Sequence, residues 1–293
     1  MKSNLLPQFN ILNLAHRIQP IPAQLEKAKI HQGTVRTRLA KSFDVVKIVQ
    51  IGSHARQTAV RAFSDLDLLI VLKRNEAKWG GSLVSSYNVL ARVIDELSER
   101  FPNTSIGRDG TAVAVWFSAT QQSLDVVPAI FHRFDRLSPV YLVPDGAGGW
   151  METSPALHDR YFKQADECAN GKLRKVSQLI KWWKFCRANP IPVGSFHLDM
   201  LLASSGAFGG ARSYSQCLYL AFKLLHDRGC RGLHDPCGVA GTLYAAATEA
   251  QYERLVSAVA YGLDHSQAAL AAELVGDKEE ANRQWNIVFN GGF

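Results

Sequence analysis

Between residues 22 and 41 apolar side chains recur at helical spacing (Leu25, Ala28, Ile30, Val35, Leu39), which predicts a long N-terminal helix. Residues 44–51, DVVKIVQI, are short and rich in β-branched side chains and predict a strand. Gly52-Ser53 ends it, and a short helix is expected from about Thr58. Residues 65–72, DLDLLIVL, read as a second, buried strand. Residues 82–100 read as an amphipathic helix with Leu83, Tyr87, Leu90, Val93, Ile94 and Leu97 on one side. Two further strands are expected at about 111–117 and 122–130, before Pro139, Pro144 and the Gly146–Gly149 stretch break the pattern into loop.

After Pro155 the spacing becomes almost wholly helical, over 155–169, 172–188, 195–205, 213–229, 239–262 and 264–274. A mixed first half and a helical second half predict an α+β protein of two lobes, 1–148 and 149–293. The chain shows no internal repeat and no low-complexity segment.

Composition narrows the class. Of 293 residues, 47% are hydrophobic and 20% charged, an ordinary globular balance. The longest apolar run, Leu66 to Leu72 with Asp67 inside it, is far short of a membrane span, and the first residues, MKSNLLPQFN, do not read as a signal peptide. Five cysteines without a framework suggest free thiols in a reducing compartment, hence a cytoplasmic expectation. A net charge of +7 suits a polyanionic ligand, nucleoside triphosphate or nucleic acid, without choosing between them.

The chemistry concentrates in carboxylates. Asp65 and Asp67 are two apart on a predicted strand, so both point to one face while Leu66 and Leu68 point to the other. Paired carboxylates repel unless a cation sits between them, and Mg²⁺ favours such hard oxygen donors together with phosphate. Asp125, on the apolar stretch SLDVVPAI, supplies a third carboxylate if its strand pairs nearby. Three carboxylates of this kind hold two ions about 3.5–4 Å apart for in-line phosphoryl transfer. Upstream, Gly52-Ser53 offers backbone N–H groups and a hydroxyl to phosphate. His226, Cys230, His234 and Cys237 have a spacing that matches no common zinc finger, and the glycines and Pro236 between them read as a turn.

Residues 52–71, G-S-H-A-R-Q-T-A-V-R-A-F-S-D-L-D-L-L-I-V, resemble the signature of the DNA polymerase β-like nucleotidyltransferases. The resemblance is closest to the bacterial cGAS/DncV-like nucleotidyltransferases. S-L-D-V-V-P-A at 123–129 resembles their third-carboxylate strand. L-I-K-W-W-K at 179–184, S-F-H-L-D at 195–199 and E-E-A-N-R-Q-W-N-I-V-F at 279–289 extend it over most of the chain. Gln57 stands where the pattern expects glycine, Asp199 replaces the more usual Glu, and the ending N-G-G-F departs from the family's type.

The resemblance implies a polymerase β-like core, a mixed sheet with flanking helices, joined to a C-terminal helical lobe with the active site in the cleft between. It implies metal binding by Asp65, Asp67 and Asp125, with two Mg²⁺ ions for which Mn²⁺ substitutes. Gly52, Ser53, Lys181 and Ser195 would touch the triphosphate. The Phe196 ring would stack on a base, an interaction of about 1–3 kcal/mol; alternatively Ser195 caps its helix and Phe196 packs in the core. The implied activity is synthesis of a cyclic di- or trinucleotide second messenger from ATP and other ribonucleoside triphosphates in antiphage signalling, with no nucleic acid required. Other nucleotidylations, or a non-catalytic nucleic-acid sensor, are the alternatives. A regulatory or conjugating protein partner is implied as well, while Gly291-Gly292-Phe293 by itself reads as a floppy tail.

Overall fold

A computed structural model describes residues 6–61, 65–117 and 122–293, excepting the side chains of 23–25, 27, 28 and 122. Leu25 and Ala28 of the predicted stripe therefore lie outside the described side chains, as do residues 62–64 of the long motif. The sheet lobe is built from helix α2 (Pro22–Ser42), strand β1 (Val45–Ile51), the one-turn helix α3 (Gly52–Ala55) and strand β2 (Leu66–Leu72). A small hairpin, β3 (Lys78–Trp79) and β4 (Ser82–Leu83), leads to helix α4 (Ser86–Arg100). Strands β5 (Ser105–Asp109), β6 (Ala112–Phe117), β7 (Gln122–Asp135), β8 (Ser138–Pro144) and β9 (Trp150–Thr153) complete it.

The sheet runs β1-β2-β7-β6-β5, with β8 and β9 added along the far half of the long β7. Every pairing is antiparallel except β2 with β7. On β2 the alternation is strict. Leu66, Leu68, Ile70 and Leu72 join Val35 and Leu39 of α2 and Val89, Leu90, Val93 and Leu97 of α4 in one core. Asp67, Leu69 and Val71 face the opposite side, where Leu69 and Val71 pack with Ala129, Tyr141 and Val143. Ile30 of the predicted stripe is exposed, whereas Val35 and Leu39 are buried.

The helical lobe comprises α5 (Pro155–Cys168), α6 (Lys172–Phe185), α7 (Ser195–Ser205), α8 (Tyr214–Asp227), the hairpin β10 (Leu233–His234) with β11 (Thr242–Leu243), α9 (Glu249–Leu274) and α10 (Lys278–Val288). Its core is centred on Trp183, Phe222 and Trp285. A first helix, α1 (Pro7–Arg17), buries Ile11, Leu14 and Ala15 in that same core. Residues 7–17 therefore pack with the second lobe although they open the chain.

Four expectations need correction. The short helix occupies Gly52–Ala55, directly after β1, rather than starting near Thr58. The 138–144 segment is a strand despite its prolines, which sit near its ends, where a missing N–H is tolerated. Residues 239–248 are not helical, and 249–274 form one continuous helix capped by the Thr248 hydroxyl. The C-terminal segment is docked rather than loose: Phe293 stacks on Phe289 at 6.0 Å, and Arg17 donates to the Gly292 carbonyl at 3.1 Å. Among the described residues no helix is long and apolar enough to cross a membrane.

Candidate active site

The parallel pairing of β2 with β7 sets Asp67 directly opposite Asp125, flanked by Leu66 opposite Leu124 and Leu68 opposite Val126. Both leucines face the core, so both aspartates face out of it. Asp65 lies one residue before β2, and its carboxylate accepts a hydrogen bond from the Ser123 hydroxyl at the start of β7. Residues nearly sixty apart in sequence are thus brought to one end of two adjacent strands.

Gly52 ends β1 at φ +74, and a Cβ there would land on the Asp67 carboxylate. Glycine is required twice over, by the left-handed backbone and by the close approach. The next residue, Ser53, donates its backbone N–H to Asp67.

Electrostatics at this end are unbalanced. Burial pushes Asp67 up to about 7, with Asp65 adding to the rise and Arg56 and Lys181 working against it. Burial also pushes Asp125 up to about 7, helped by Asp67, Asp65 and Asp109. Crowded hard-oxygen donors under pressure to take up protons are what a divalent cation relieves, and the donor set fits Mg²⁺.

Asp65, Asp67, Gly52 and Ser53 line a cleft of about 750 Å³, with Asp125 beside Asp67 on the next strand. Lys181, Lys184, Ser195 and Phe196 line the cleft from the helical lobe. Lys181 is 1% exposed, and its ammonium donates to Asp199 at 2.8 Å and to the Thr58 hydroxyl at 2.7 Å. Arg56 Nε and the Thr58 hydroxyl also donate to Asp199, both at 3.1 Å, and Ser177 does so at 2.5 Å. Burial alone would raise the Asp199 pKa, but Lys181, Arg56 and the Ser177 bond hold it below the ordinary value. This buried network ties the segment after Gly52-Ser53 to α6 and α7.

Ser195 does not cap α7; Gly194 holds that position and makes no side-chain cap. The Ser195 hydroxyl instead accepts from Lys184 Nζ at 3.3 Å. Phe196 is half-buried, with the Arg56 guanidinium 5.2 Å from its centroid and the His158 ring edge-on at 5.0 Å. Lys184, Arg56, Thr58 and the cleft-lining Tyr244 were not singled out from sequence. The three-residue step from Lys181 to Lys184 was the available signal for the first, since it keeps both on one helix face.

In line with the reading of 226–237 as a turn, neither His226 nor His234 joins a metal-ligand cluster among the described residues. His158, Asp235 and Cys237 bring donor atoms within 4.8 Å of one another, all buried. Asp235 is saturated by amides of Cys237, Val239 and Ala240 and by His158, and burial pushes the Cys237 thiol up to about 11. His158 and these amides fix Asp235 within the loop that joins β10 to β11.

Comparison with known proteins matches this arrangement. The profile of the Second Messenger Oligonucleotide or Dinucleotide Synthetase domain covers residues 7–166, more than half of the chain. A probable cyclic nucleotide synthase of Bacillus cereus is 22% identical over 278 residues, 84% of this chain and 82% of that protein. A cyclic AMP-AMP-AMP synthase of Escherichia coli is 25% identical over 186 residues, 61% of this chain and 56% of that one. In fold, the E. coli CdnC structure with ATP aligns at a TM-score of 0.74 with 21% identity, covering 99% of both chains; CdnC has also been solved in complex with a HORMA protein. Vibrio cholerae DncV, a cyclic AMP-GMP synthase, aligns at 0.64 with 14% identity over 83% of this chain and 68% of its own. The chain belongs to the Second Messenger Oligonucleotide or Dinucleotide Synthetase family, the cGAS/DncV-like nucleotidyltransferases, and is an enzyme of the cyclic oligonucleotide synthase group.

Proposed function

We propose that this enzyme joins ribonucleoside triphosphates, ATP among them, into a cyclic di- or trinucleotide. The observation that carries the reading is the register of Asp67 against Asp125, with Asp65 beside them, in a cleft that Lys181 and Lys184 also line. Asp65, Asp67 and Asp125 hold two Mg²⁺ ions, which supply Lewis-acid stabilisation of the phosphate charge when bound. Gly52 and Ser53 present the backbone to the triphosphate, Ser195 adds a hydroxyl, and Phe196 offers a ring to a base.

Asp125, facing the same end of the strands as Asp67, takes the proton of a ribose hydroxyl. The hydroxyl oxygen bonds to the α-phosphorus, the bond to the β-phosphate bridge breaks, and pyrophosphate leaves. Repetition with the linear intermediate held in the cleft closes the ring. The setting is a cytoplasmic antiphage signalling system; a regulatory protein partner is proposed by analogy with CdnC, solved in complex with a HORMA protein.

The test is product analysis. Purified protein with four ribonucleotides and Mg²⁺ or Mn²⁺ should yield a phosphatase-resistant cyclic oligonucleotide by mass spectrometry, and the Asp65→Ala, Asp67→Ala double variant should yield none. Label appearing only in lengthened RNA, or in no product with any metal, would remove the reading.

A further inference from the structure

Strand register carries the carboxylate face beyond the three aspartates. Ala114 of β6 stands opposite Asp125, and Gly107 of β5 stands opposite Ala114. Trp116 stands opposite Ser123, whose hydroxyl donates to Asp65. Val113 and Val115 go to the core that α4 shares, so Ala114 and Trp116, alternating with them, share the face of Asp125. The floor there is low. Ala114 has only a methyl group, and a Cβ at Gly107 would meet nothing within 4 Å among the described residues. Trp116 borders this shelf. It is 53% exposed, in a residue type that is ordinarily well buried, and its indole has no hydrogen-bond partner and no ring contact among the described residues. It is the diagonal neighbour of Asp125, a backbone spacing of about 7–8 Å that an aromatic side chain can bridge.

We propose that Trp116 is the stacking platform for the base of the acceptor nucleotide, the one whose ribose hydroxyl Asp125 deprotonates. The inference rests on the nucleotidyl-transfer reading and adds the place of the second nucleotide. The occupant follows from continuity with the site. The attacking hydroxyl stands at Asp125, and its base is one sugar ring away. Toward β1 the row continues as Asp67 and Ile51, where the Gly52-Ser53 turn closes it. Toward β5 it continues as Ala114 and Gly107 and leaves room for a flat ring. Asp109, two residues beyond Gly107, lies on the same face, and its negative charge suits a neutral base rather than a phosphate tail. An indole stacks on the face of any base, so the platform holds the acceptor without choosing its identity.

Pyrophosphate release with the two roles given to different nucleotides tests this. A 2′,3′-dideoxy-ATP has no ribose hydroxyl and serves only as donor; AMP has no triphosphate and serves only as acceptor. Trp116→Ala should raise the KM for AMP by about fivefold to a hundredfold, the range of one lost stack, at unchanged kcat. The KM for dideoxy-ATP and the thermal midpoint should hold, because the indole is exposed. Trp116→Phe, which keeps a ring, should recover most of the loss. With ATP in both roles, Trp116→Ala should lose rate at low ATP and regain it at saturation. An unchanged KM for AMP, a rise of both KM values together, or wild-type rates at every ATP concentration would overturn the platform and leave the synthase reading in place. A wild-type protein that releases no pyrophosphate from any pair of ribonucleotides would remove the synthase reading instead, and the platform with it.

Discussion

The two walls of the cleft solve the same electrostatic problem in opposite ways. On the helical wall, Asp199 is fully buried and yet fully matched by Lys181, Arg56, Thr58 and Ser177. On the sheet wall, Asp67 and Asp125 stand side by side with Asp65 and have too little positive charge nearby, so both are driven up to about 7. One wall is complete without a ligand and the other is not. Charge satisfied within the protein marks a strut, and charge left unsatisfied marks where cations and substrate enter.

The largest break in that contrast comes from removing Asp199. Asp199→Ala would leave Lys181 and the Arg56 guanidinium buried with no shared anion. Losing one partner of such a network costs about 3–5 kcal/mol, and urea denaturation should show a loss of that order. Asp65→Ala on the sheet wall removes one of several repelling charges and should not destabilise the metal-free protein. If both substitutions lower stability equally, the distinction between strut and site fails.

A smaller effect concerns pH and metal. Asp67 and Asp125 have folded-state pKa values near 7, well above the ordinary 3.8, so the folded protein binds protons that the unfolded chain has already released. Metal-free stability should therefore fall as pH rises from about 4 through 7. On the proposed reading, Mg²⁺ should replace those protons above pH 7. At a hundredfold excess over its dissociation constant it should add about 2.7 kcal/mol, and clearly less at pH 5.5. Thermal midpoints at pH 5.5 and 8, with and without Mg²⁺, measure this. A midpoint gain equal at both pH values, or present in the Asp65→Ala, Asp67→Ala protein, would show that the ions bind elsewhere.

Much of the sheet wall was legible in sequence because its signals are local. DLDLLIVL fixes a strand with two carboxylates on one face, and SLDVVPAI carries the third. What pairing alone decides, that β2 runs parallel to β7 with Asp67 opposite Asp125, is set by contacts far apart in the chain. The helical wall was less legible for the same reason. A run of lysines along α6 looks uniform until Asp199 and Thr58 close over Lys181 and not over Lys184. The hairpin at 233–243 escaped the helical pattern because a single side chain, Asp235, organises it by accepting from three amides. Helix α1 has an apolar stripe, but nothing in that stripe says that its partner lies in the distant lobe.

The smallest effect lies in the turn that joins the two walls. Gln57 follows Arg56 and precedes Thr58, both of which serve the Asp199 network, and it adopts φ +59, a left-handed conformation that disfavours a side chain. The family pattern places glycine here, and the backbone angle supplies the reason. The Gln57 side chain is exposed, and its backbone carbonyl accepts from Gln178 Nε2 at 3.3 Å, a bond that a substitution would keep. Left-handed geometry costs a non-glycine residue about 1–2 kcal/mol. Glycine returns that strain but loses about 0.4–1 kcal/mol through its freer unfolded chain. Gln57→Gly should therefore stabilise the protein by about 0.5–1 kcal/mol, readable as a small rise in denaturation midpoint at unchanged slope. Destabilisation instead would mean that the Gln57 side chain helps hold the turn, and the strut would then extend one residue further toward Gly52-Ser53 than the hydrogen bonds indicate.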